Sequence, residues 1–256
     1  MKIIVILFFS MLLALPIYGQ NRETDYLSHV LEKMNAVESV TYHCVKKAWE
    51  PGDKEPVYSV PTEIYEHVNP QDTAVGYSFL CVSDKEFRQP LWVYDGTVFA
   101  YIEKEEKEVR IDDFTQKSPL PFRVIMPQAF GCMKSILEYA LNTQDSIVLS
   151  LKDEGKDYLM ELSIHTPYQV EFFGKACYMP QNPYIYDPTS IYKIWISKEN
   201  DMPYRYRREM QHSISEGICS DFVYNPYGKG KIVAEDYYPA DYVRRIKGEK
   251  SQKATV

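Results

Sequence analysis

The sequence predicts an α+β protein dominated by antiparallel strands, with one curved sheet and two helices on one of its faces. Three observations lead there. Segments of period-two alternation recur along most of the chain, separated by short turn clusters. The composition is rich in strand formers, with 22 Tyr and 11 Phe in 256 residues. Only two stretches carry a helical stripe, and they do not alternate with strands as βαβ units would require.

The chain opens with MKIIVILFFSMLLALPIYGQ, which has the layout of a secretory signal peptide. Lys2 gives the positive start, Ile3–Leu15 the apolar core, Pro16 the break and Gly19 the small residue before cleavage. A membrane anchor is the alternative, but the apolar part falls short of the roughly 20 residues a span takes. Cleavage after Gly19 removes one Lys and no acid, so a formal charge of −7 becomes −8. That acidity argues against nucleic acid as a partner and against docking on anionic lipid by charge alone. The remaining residues suit a single domain over 20–246 with a loose charged tail at 247–256.

The first helix is expected in NRETDYLSHVLEKMNAVESV, where Leu27, Val30, Leu31, Met34 and Val37 form one stripe. Asn21 or Thr24 caps it, and His29 lies on its polar side. Period two then places Val40, Tyr42 and Cys44 on one side of a strand. PGDKEP (51–56) is a turn, and 57–68 a strand broken or edged by Pro61. AVGYSFLCVS (74–83) is another strand. Asp95-Gly96 marks a two-residue hairpin between Leu91–Tyr94 and Val98–Ile102. EKEEKEV lacks an apolar stripe and reads as a solvated tip before Val109 and Ile111.

The Pro-rich run SPLPFRVIMPQAFG leads into the second helix, with Met133, Ile136, Leu137, Ala140 and Leu141 on one face. Strands resume at 146–151, 158–164 and 168–174. A Pro/Tyr loop follows at 178–190, then a strand–turn–strand unit from Ser190 to Gln211 and a last strand at 218–225.

Motifs that carry chemistry are missing. There is no G-x-S-x-G, no glycine-rich phosphate loop and no histidine pair at i, i+4 among His29, His43, His67, His165 and His212. The acids Asp84 with Glu86, Glu105-Glu106 and Asp112-Asp113 sit in or beside turns, where solvation keeps a carboxyl group ordinary. Cys44, Cys81, Cys132, Cys177 and Cys219 form no C-x-x-C; one or two bridges and buried free thiols both remain open. Tyr204, Tyr206 and Arg208 share one face of a strand, with Arg205 and Arg207 on the other. These are the marks of a protein that binds rather than catalyses, without cofactor or metal.

Three stretches, LEKMNAVESVTYHC (31–44), PLWVYDGTVFAYI (90–102) and YKIWISKENDMPYRYRREMQ (192–211), resemble the LolA-like superfamily of periplasmic lipoprotein carriers. The last looks like that family's strand, acidic turn with x-Pro, strand pattern. The resemblance spans most of residues 22–225 and rests on patterns of residue type. It implies a half-barrel with both helices on the concave side, a periplasmic location, and a partner that is a lipid or the acyl chains of a lipoprotein. Two departures stand out: the arginine that gates the cavity of the true carriers has no match, and five cysteines are unusual. Similar domains precede thioredoxin-like domains in exported proteins, so an envelope sensor or a module binding another envelope protein is the alternative. By alternation on the best strands, Phe79, Trp92, Tyr94, Ile194 and Ile196 are expected to touch the ligand, under a lid of Leu27, Leu31 and Met34. A monomer is expected.

Overall fold

The computed structural model describes residues 22–50, 52–73, 75–83, 90–115, 129–172, 174–179 and 188–246. The expected signal peptide, most of the Pro-rich run before the second helix, much of the Pro/Tyr loop and the tail lie outside them. Asp84 and Glu86 do as well.

A single sheet of 12 strands organises the chain. In sequence the strands are β1 (Ser39–Trp49), β2 (Tyr58–Val68), β3 (Tyr77–Ser83), β4 (Pro90–Tyr94), β5 (Val98–Glu103), β6 (Glu108–Asp113), β7 (Ser146–Glu154), β8 (Asp157–His165), β9 (Val170–Phe172), β10 (Ala176–Tyr178), β11 (Ser190–Ser197), β12 (Met202–Met210), β13 (Ser213–Tyr224) and β14 (Val243–Ile246). Their order in the sheet is β14-β6-β5-β4-β3-β2-β1-β13-β12-β11-β8-β7, with β9 and β10 forming a separate pair. The large sheet is open, and all its ladders are antiparallel except β14 on β6.

Two helices, α1 (22–35) and α2 (Ala129–Asn142), lie on one face. Leu27, Val30 and Met34 of α1 and Met133, Ile136, Leu137 and Ala140 of α2 pack in one core with Val40, Tyr42, Ile64, Met160, Leu162, Ile164, Tyr192, Ile194 and Ile196 of the strands. Alternation made this possible: β11 is buried at every second residue from Ser190 to Ile196. The turn between β11 and β12 anchors α1. There Asp201 accepts from the Tyr26 hydroxyl at 3.0 Å and from the Lys33 ammonium at 3.3 Å. His29 is on the exposed side of the helix, 3.7 Å from the same carboxylate.

Adjacent residues of β2 enter different cores. Ile64 faces the helices, whereas Tyr65 joins Val93, Ala100, Ile102, Val109, Ile232 and Ala234 on the outer face. The C-terminal segment covers that outer face. It crosses as a short 3₁₀ turn, Ala234–Tyr237, and ends as β14 alongside β6. The last sheet strand is therefore β14 rather than the expected 218–225. β13 also begins earlier than expected, at Ser213.

Two local expectations shift. Pro61 does not break β2; it pairs with Val45 of β1 and stands one residue before Thr62, where the ladder to β3 begins. The β4–β5 hairpin turns on Gly96-Thr97, one residue later than expected. Tyr94 pairs with Phe99, Asp95 N–H donates to Val98 O, and Gly96 takes the positive φ of 102°. The Asp95 carboxylate accepts from the backbone of both Thr97 and Val98, which pulls the turn tight.

β12 divides its side chains as the period demands. On the outer face Arg205 pairs with Glu216 and stacks 4.0 Å over Trp195, while Arg207 pairs with Glu209 at 2.7 Å. On the helix face Tyr206 lies against Gly217 of β13, its register partner. A Cβ at Gly217 would stand 2.3 Å from that ring. Gly217→Ala is expected to lower stability by about 1–3 kcal/mol through overpacking. Urea unfolding reads this; a variant as stable as the parent would show that the ring swings aside freely.

Candidate functional site

Two places on the helix-bearing face hold polar or aromatic groups that packing alone does not demand. The first is Glu66. Alternation on β2 points it the same way as Ile64, beneath the start of α2, where it is completely buried. Its Oε1 accepts from Phe130 N–H at 3.2 Å and its Oε2 from Gly131 N–H at 2.8 Å. The Tyr42 hydroxyl of β1 donates to Oε1 as well. A helix leaves its first N–H groups without internal partners, and its dipole favours a negative charge there. Glu66 supplies that charge from another element. Gly131 permits the approach: a Cβ there would sit 3.0 Å from both Oε2 and the Tyr77 ring. The Tyr77 hydroxyl, buried beside it, has no hydrogen-bond partner among the described residues.

Burial pushes the Glu66 carboxyl up from an ordinary 4.5 to about 7, against the hydrogen bonds from Tyr42, Gly131 and Phe130 and the charge of Lys46. The same burial, with the neighbouring carboxylate, raises Tyr42 and Tyr77.

The second place is the face of β4–β6. Trp92, Tyr101 and Phe99 point to the helix side, and Trp92 stacks on its cross-strand partner Tyr101 with ring centres 6.1 Å apart. Phe99 and Tyr101 line a pocket of about 450 Å³ with Glu108, Arg110, Asp112, Arg245, Ile246 and Ile111, the last of which also belongs to the outer-face core. Arg110 bonds Glu103 and Glu106 at 2.8 Å and Glu108 at 3.2 Å, and Arg245 bonds Glu108 at 2.7 Å. The cations at the rim are thus already matched by acids, and the apolar floor is the part left to offer.

The expected ligand residues divide between core and pocket margin. Leu27, Met34, Phe79, Tyr94, Ile194 and Ile196 are fully buried. Phe79 and Tyr94 pack with Val75, Tyr77 and Phe114. The Tyr94 hydroxyl donates to Asp72 at 2.9 Å. Leu31 is half-buried and lines a pocket of about 300 Å³ between α1 and the end of α2, with Thr24, Ser28, Glu32, Asn35, Leu141 and Asn142. Trp92 is half-buried next to Tyr101. Sequence reasoning missed Phe99, Tyr101 and Glu66. The first two were legible as every second residue of β5, and Glu66 as an acid in phase with Ile64. Among the described residues no three His, Cys, Asp or Glu gather as a metal site.

The fold class is an open, mostly antiparallel sheet carrying helices on one face. No family model and no curated protein matches the chain. Solved structures do, at the level of chain path. A DUF1329 family protein from Desulfovibrio piger is 10% identical, over 87% of this chain and 98% of that one, with a TM-score of 0.38. Lipoprotein LppX from Mycobacterium tuberculosis is 8% identical, over 82% and 98%, with a TM-score of 0.39. A LolA superfamily protein from Nitrosomonas europaea is 10% identical, over 84% and 98%, with a TM-score of 0.32. At such identity none of their residues transfers to this chain.

The raised Glu66 carboxyl has a pH signature. The folded protein takes up this proton more readily than the unfolded chain. Its contribution to stability is therefore fully present below about 4.5 and lost as pH rises through about 7. Between about pH 5 and pH 8 the parent should lose on the order of 3 kcal/mol from this group. Chemical denaturation across that range measures it. In Glu66→Gln the loss should be absent; an unchanged slope would assign the pH dependence elsewhere.

Proposed function

We propose that the protein is exported to the periplasm and holds an apolar ligand, a lipid or the acyl chains of a lipoprotein, against the helix-bearing face of β4–β6. One observation carries this reading: the row of Trp92, Tyr101 and Phe99 beside a pocket whose charged rim is internally neutralised. The pocket's volume is within the range of ligand sites, and an apolar chain gains roughly 0.8 kcal/mol for each CH₂ it buries. The opening segment, with its signal-peptide pattern, supports export. Trp92 is the member of the expected ligand set that borders this floor. Leu27, Met34, Ile194 and Ile196 act in this reading as the core that fixes the frame, and no catalytic step is involved.

Native mass spectrometry of gently purified protein should show a bound lipid. Tyr101→Ala should weaken binding of a fluorescent fatty-acid probe roughly fivefold, the equivalent of about 1 kcal/mol of aromatic contact, with thermal unfolding nearly unchanged. Leu27→Ala should instead lower stability by about 2–5 kcal/mol. Probe binding that is absent from the parent, or indifferent to Tyr101, overturns the reading.

An interaction module is the second reading, favoured by the free edge of β7. Among the described residues that strand pairs with β8 alone, and its Val148 is 61% exposed. A partner strand added there should be lost in Val148→Pro while probe binding persists; retention of the partner would dismiss edge pairing.

A further inference from the structure

Two of the five cysteines face each other across the ladder that joins the two halves of the sheet. Cys44 of β1 is the register partner of Cys219 of β13. Both are buried on the helix side, in the same core. Directly opposed residues of an antiparallel pair have Cα atoms about 4.5–5.5 Å apart, inside the span that a disulfide bridges without moving the backbone. The other thiols lack this arrangement. Cys81 is opposite Ile64 and Trp92, Cys177 is opposite Glu171, and the Cys132 thiol donates to Phe172 O at 3.2 Å.

We propose that Cys44 and Cys219 are a disulfide-forming pair, a covalent modification site that staples β1 to β13 when the protein meets an exchange-competent disulfide. Cys44, as thiolate, attacks one sulfur of the oxidant. This forms a mixed disulfide and expels the oxidant's other sulfur as a thiolate. Cys219 then loses its proton and attacks the Cys44 sulfur, releasing the second sulfur of the oxidant. Two protons and two electrons leave the protein, and the oxidant is reduced to thiols. Exchange depends on thiolate, and the neighbouring Cys219 side chain holds the Cys44 thiol below its ordinary value. Burial pushes Cys81 and Cys132 up to about 12 and makes them poor nucleophiles. Because both partners are shielded in the folded sheet, oxidation takes place as the two strands meet or in a local opening of their ladder. The pair is 175 positions apart (219 minus 44), so the bridge closes a long loop and restricts the unfolded chain strongly.

The test refolds the full mature chain in a glutathione redox buffer, or in dithiothreitol as the control. Thiols are then alkylated under denaturing conditions, and the protein is digested without reduction. Oxidised parent protein should retain three of its five free thiols and yield one linked peptide pair containing Cys44 and Cys219. Its Tm should exceed that of the reduced protein by several degrees, and the difference should vanish in Cys44→Ala with Cys219→Ala. Cys81→Ala and Cys132→Ala should keep the bridge. Five alkylated cysteines after oxidative refolding, or a bridge joining any other pair, overturns the proposal, and the parent's peptide map decides even if a variant fails to fold.

Discussion

The carboxylate of Glu66 joins three elements that share no local sequence. It belongs to β2, receives a hydroxyl from β1 and accepts the first free N–H groups of α2. A helix docked over a sheet with its start buried must satisfy those donors, because orphaned amides cost about 1–3 kcal/mol each. The rest of α2 follows from this fixed point: Met133, Ile136, Leu137 and Ala140 come down in phase on the strands below. The arrangement has a cost, since the charge that suits the helix must leave water, and the balance shows in a carboxyl group poised near neutrality.

The sheet extends well beyond the helices and is buried from both sides. The β1, β8, β11–β13 half has its core under α1 and α2, while the β4–β6 half has its own on the outer face, under Ile232 and Ala234. This exchange of faces explains the aromatic row. Val93, Ala100 and Ile102 turn outward to meet the C-terminal segment, so their neighbours Trp92, Phe99 and Tyr101 must turn toward the helix side. The half-buried floor that the proposed ligand would use is thus the other half of an alternation fixed by an ordinary core.

Much of the frame was legible in the sequence because period sets it. Both helical stripes, the alternating strands, and the split of Tyr206 and Arg208 from Arg205 and Arg207 follow from spacing alone. Spacing says less about which face is filled, so Phe79 and Tyr94 were readable as inward residues but not as members of a closed cluster. β14 escaped because Val243–Ile246 is short and exposed at every residue, with two arginines and no alternation. Its place depends on a parallel ladder to β6, formed by segments far apart in the chain. The hairpin slipped by one residue because Asp95 was read as part of the turn, whereas its carboxylate ties the turn from outside.

The pairing of β1 with β13 has a consequence for how the chain assembles. β1 is in the middle of the sheet, yet one of its two neighbours is supplied by residues 213–224. As the polypeptide emerges, β1 and β2 can zip early, but the other rim of β1 stays bare until nearly the whole chain exists. Such distant pairings give a high contact order, which slows folding. They also leave a sticky strand edge open in the nascent state. A holding factor that shields this rim in the nascent state would act on β1 first.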